Sequence, residues 1–84
     1  MHDWHLADEI FKTILDYANK NNFNTVKKIK LELGGIIEHG QEINSDNLIF
    51  NIKLLGEKTI IKDAKIKIKR IKGDKWRLVL IEGE

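Results

Sequence analysis

Cysteine and proline are both missing from the 84 residues. Without thiols there is no disulfide, no thiolate zinc site and no cysteine nucleophile, which fits a cytoplasmic protein. Without proline there is no Pro-rich linker. No apolar run approaches the roughly 20 residues that a membrane span needs. The opening residues carry acids rather than a basic stretch, so a signal peptide is not expected. Repeats and low-complexity tails are missing as well. Gly34-Gly35 lacks the spacing of a phosphate-binding loop. Asp8 and Glu9 read as neighbours on a solvated helix face, so no enzyme is expected.

What is present is periodicity. With 42% hydrophobic residues, the chain is read as one domain over residues 1–84 with a thin core. Leu6, Ala7, Ile10, Phe11, Ile14, Leu15, Tyr17 and Ala18 recur at helical spacing, which predicts a helix over residues 4–20. Asp3 is a candidate N-cap, and Asn21-Asn22 can end the helix. Residues 25–33 alternate apolar and charged and predict a strand with one buried face. Gly34-Gly35 interrupts it, and Ile36-Ile37 can briefly resume it before a polar loop over 38–44 that contains His39. A second helix is predicted over 46–55, capped by Ser45 or Asp46 and closed by a C′ glycine at Gly56.

Residues 64–71 and 76–82 predict two further strands, with Gly73-Asp74 as a hairpin signal between them. A two-residue loop would place Ile66 and Ile68 with Val79 and Ile81, and send Trp76, Leu78 and Leu80 outward. A three-residue loop would pair Ile68 with Leu80 and expose Val79 and Ile81. In either register the last strand is apolar on both faces. It therefore needs lysine stems over one face or a partner, most simply a second copy of the chain in a homodimer. The order α-β-α-β-β predicts an α+β fold, with two helices packed on one face of a small three-stranded sheet.

Charge is divided unevenly. Residues 1–50 hold five lysines against eight acids, and residues 51–84 hold ten lysines and arginines against five acids. Lys65, Lys67, Lys69, Arg70, Lys72, Lys75 and Arg77 could meet phosphates, with Trp76 as a stacking platform. A solvated sheet face is the plainer explanation. One aromatic in the patch is a weak platform, and nucleic acid is disfavoured as a partner.

The densest chemistry lies at the start. Met1, His2 and Asp3 offer an α-amine, an amide nitrogen, an imidazole and a carboxylate in one run. No loop must close to gather them, so the entropic cost of chelation is small. The fourth ligand to a metal would be the amide of Asp3 or its carboxylate. Met1 is expected to be retained, because His2 is bulky. The positive end of the following helix opposes a bound dication, so the ligands must become anionic. The same dipole keeps His2 neutral and ready to ligate. His5 lies on the polar helix face and is read as surface, as is the loop residue His39. Trp4 is expected to pack at the sheet edge or over the terminus.

The start Met1-His2-Asp3-Trp4, followed by this helix, resembles the hydrogenase maturation nickel chaperones of the HypA family, whose chains open Met-His-Glu. The stretch from Val26 to Gly35 resembles their first strand with its glycine exit. The run from Gly56 to Ile68 resembles their connection from second helix to second strand. The resemblance implies Ni(II) as the metal, held by Met1, His2 and Asp3, and nickel has suitable affinity for nitrogen and oxygen donors. It implies a metallochaperone-like accessory protein for nickel-enzyme maturation. Its implied partners are a nickel-loading GTPase and a hydrogenase large subunit. The family inserts a zinc-binding lobe with paired cysteines between the last two strands. Lys72-Gly73-Asp74-Lys75 stands there instead, so no zinc is expected. The alternative is a basic nucleic-acid or protein-binding module using the lysine-rich C-terminal segment, with the metal function lapsed.

Overall fold

The computed structural model describes residues 4–38 and 40–84. Helix α1 spans Trp4–Lys20, as its periodicity predicts. Leu6, Ala7, Ile10, Ile14 and Ala18 are buried, whereas Tyr17, grouped with them by spacing, is half exposed. The helix stops where Asn22 takes a positive φ of 57°, the left-handed conformation that asparagine tolerates.

Strand β1, Val26–Leu33, is the centre of the main sheet. Two short strands, β2 at Ile37–Glu38 and β3 at Gln41–Glu42, pair with each other in what the sequence suggests is a loop. Ile36-Ile37 therefore leads into a separate small hairpin rather than extending β1. Helix α2, Ser45–Leu55, is capped by Asn44 rather than by Ser45 or Asp46: Asn44 Oδ1 accepts from the backbone of Asp46 at 2.8 Å and of Asn47 at 3.1 Å. Gly56 follows it at φ −91°, not left-handed. Glycine is required there because a Cβ would collide with the Ile61 side chain.

Strands β4, Lys65–Arg70, and β5, Trp76–Gly83, flank β1 rather than each other. The expected hairpin is therefore not formed, and neither of its two registers occurs. The excursion through α2 returns the chain so that β4 runs parallel to β1, while β5 runs antiparallel on the other side. Residues 71–75 cross over the end of β1 to connect them. Ile71 N–H donates to the Leu33 carbonyl at 3.0 Å, Gly34 N–H to that of Lys75 at 2.8 Å and Gly35 N–H to that of Gly73 at 2.7 Å. A Cβ on Gly34 would lie 2.5 Å from the Gly73 oxygen, so the glycine pair is the seat for this crossing.

The register also explains the two apolar faces of β5. Leu80 pairs with Lys30 and Leu78 with Leu31, which leaves Val79 as an extra residue in a bulge. Below the bulge Trp76 and Leu78 face the core, and above it Ile81 does. Both helices pack on this one face, with α1 against α2 and β5, and α2 against β4. Ile10, Ile14, Ile29, Leu33, Leu48, Ile52 and Ile61 are fully buried between the layers. Burial of each such side chain contributes about 1.5–3 kcal/mol. Arg70, at the end of β4, ties the β2–β3 hairpin to the sheet: it pairs with Glu42 and donates to the Ile43 carbonyl at 3.2 Å.

Candidate functional site

The proposed metal ligands Met1, His2 and Asp3 lie outside the described residues, as do His39 and the Trp4 side chain. The structure does describe the helix that follows the first three residues in sequence. Residues 1–3 lead directly into the first turn of α1. That end of the helix borders an open groove lined by His5, Leu6, Glu9, Ile36, Ile37, Asp74, Lys75 and Trp76. The groove draws on four separate parts of the chain: α1, the stretch after the glycine pair, the 71–75 crossing and the start of β5.

Leu6 anchors the helix end in the core. One turn on, Glu9 Oε2 accepts a hydrogen bond of 2.9 Å from Trp76 Nε1. This contact joins α1 to β5 across 67 residues of sequence. Glu9 is exposed on the helix face, as its spacing predicts, and one of its oxygens takes this bond. Asp8 pairs with Lys12 at 3.0 Å, one turn along the same helix. Trp76, weighed above as a stacking platform, faces the core and belongs to this groove instead. Local sequence holds no signal for the Glu9–Trp76 pair, because it exists only through the sheet order that brings β5 under α1.

His5 is exposed, in agreement with its place on the polar face. Among the described residues no three histidine, aspartate or glutamate side chains converge as metal ligands. His5, Glu9 and Asp74 share a groove but do not form a chelate. The first turn of α1 contains no acidic residue to offset the helix dipole. Asp3 is the nearest carboxylate in sequence that could do so.

Comparison with known proteins bears on this end of the chain. Residues 1–76 match the family model described as "Hydrogenase/urease nickel incorporation, metallochaperone, hypA". The hydrogenase maturation factor HypA of Pyrococcus furiosus is 39% identical over 66 residues, covering 79% of this chain and 45% of that protein. The HypA of Rhizobium leguminosarum bv. viciae is 30% identical over 78 residues, covering 93% of this chain and 66% of that one. The chain spans about half the length of most of the curated relatives it matches. The solution structure of the Ni metallochaperone HypA from Helicobacter pylori superposes with a TM-score of 0.77 at 13% identity. It covers 99% of this chain and 97% of that one, and it supports the same α+β fold. With the family model matching from the first residue to the start of β5, this chain belongs to the HypA family.

Proposed function

We propose that this chain is a nickel-binding accessory protein for nickel-enzyme maturation, acting as a single HypA-like domain without a zinc lobe. It binds Ni(II) through Met1, His2 and Asp3. The observation that carries this reading is the family match beginning at residue 1, where the Met-His-acid run supplies amine, amide, imidazole and carboxylate donors. Such a set suits a square-planar or octahedral Ni(II) ion. The protein acts in the cytoplasm and carries metal rather than performing catalysis. No described helix is long and apolar enough to cross a membrane.

Protons compete with the metal for the imidazole and the amine. Affinity should therefore fall as pH drops below about 6.5, where a histidine gains its proton. Asp3→Asn should weaken binding at every pH by removing the charge that offsets the helix dipole. Calorimetric nickel titrations from pH 8 to 5.5 test both points, and a flat profile would exclude nitrogen ligation. No stoichiometric zinc is expected, since the chain has no thiols. Zinc that persists through chelator treatment would contradict this.

The partners proposed are a nickel-loading GTPase and a hydrogenase large subunit. Two copies of the chain are further proposed to associate through β5. It is an edge strand, and its bulge residue Val79 is 51% exposed. Bulges discourage continuous edge pairing, so this contact would be made by side chains rather than by an extended ladder. Sedimentation as a monomer at high micromolar concentration would rule it out.

A further inference from the structure

The face of the sheet turned away from the helices carries a regular array of charge. The registers place Lys65, Lys28 and Glu82 in one row across β4, β1 and β5. Lys67, Lys30 and Leu80 form the next row, and Lys69, Glu32 and Arg77 the third. Six cationic side chains stand against two carboxylates, a surplus of four. Arg77 and Glu32 pair with each other at 2.6 Å. Among the described residues, Lys28, Lys30, Lys65, Lys67 and Lys69 make no ion pair. The surplus is thus concentrated along the β1–β4 seam.

This arrangement works against the fold. Lys28 sits directly opposite Lys65, and Lys30 opposite Lys67, on strands about 4.8 Å apart. Like charges facing each other across a ladder destabilise it. Lysines on edge strands commonly guard against aggregation, which could account for β4. That reason does not extend to Lys28 and Lys30, because β1 is the central strand with a neighbour on each side.

We infer that this open face is a docking surface for an extended acidic segment of a partner protein, laid along the β1–β4 seam. Alternate side chains of an extended peptide recur at about 6.6–6.8 Å, the same interval that separates Lys28 from Lys30 and Lys65 from Lys67 along their strands. Carboxylates at every second position would meet a lysine pair each time. Single-stranded nucleic acid fits less well. Its binding sites combine charge with aromatic platforms, and the grid carries no aromatic, since Trp76 faces the core.

The test is a fluorescence anisotropy titration of the full chain with labelled decaglutamate at low salt. Binding should weaken about tenfold or more in the Lys30→Gln/Lys67→Gln variant, and should change little in Lys20→Gln/Lys53→Gln, which removes the same charge from the helical side. Removing the facing lysines should leave the thermal midpoint equal to or above that of the native chain. Equal binding by both variants, no measurable binding by the native chain, or a lowered midpoint in the sheet variant would each overturn the inference. So would duplex DNA or single-stranded RNA of matched charge binding more tightly than the peptide, which would assign the face to nucleic acid.

Discussion

The two ends of the sheet are built differently. At the end where β1 begins, backbone groups stitch the chain together. Glu84 N–H donates to the Thr25 carbonyl at 2.9 Å, Thr25 N–H donates back at 3.0 Å, and Val26 N–H reaches the Ile60 carbonyl at 2.9 Å. Lys27 and Glu84 add an ion pair at 3.1 Å. At the other end the 71–75 crossing is held by the Ile71 bond to Leu33 and by the bonds from Gly34 and Gly35, and the Trp76 side chain donates to Glu9 to join β5 to α1. An open groove lies between these parts. Both ends are therefore held by backbone hydrogen bonds, and what sets the second end apart is the groove, which gives it room for a ligand or partner.

The contrast can be broken most severely at Gly34. Gly34→Val would drive a branched side chain into the Gly73 carbonyl. It should cost about 3 kcal/mol or more by thermal or urea unfolding, and should disorder the crossing. Leu78→Glu comes next. It places a charge opposite Leu31 on the core side and should cost about 2–3 kcal/mol. Trp76→Phe keeps most of the buried ring and loses the bond to Glu9, so about 1 kcal/mol is expected. Hydrogen exchange should then rise in the first turns of α1 and not around Thr25–Val26. The smallest effect is expected for Val79→Glu at the bulge, within about 0.5 kcal/mol. The same variant should abolish any self-association through β5 seen by sedimentation.

Regular ladders and helices were legible in the sequence. The bounds of α1, the buried alternation of β1 and the layering of two helices on one face all follow from short-range spacing. The sheet order does not. Gly73-Asp74 carries the local chemistry of a hairpin, but the choice between pairing β4 with β5 and inserting β1 between them depends on long-range packing through α2. The bulge at Val79 was equally hidden, because an extra residue makes alternation read as two apolar faces. Nor could spacing reveal that Gly56 serves packing against Ile61 rather than a left-handed turn. At the site, the Met1-His2-Asp3 run stands out by chemistry alone, whereas Glu9 and Trp76 become neighbours only once the fold is known.

The account stands or falls on whether the first residues form a chelate that includes the α-amine. Nickel titration by isothermal calorimetry should compare the native chain, His2→Ala and a form extended by a few residues ahead of Met1. Tight binding by the native chain alone, with loss in both altered forms, is the predicted result. Extension should be as damaging as His2→Ala, since it converts the amine into an amide while leaving every side chain in place. Binding by all three at similar affinity would contradict the account and put the metal elsewhere.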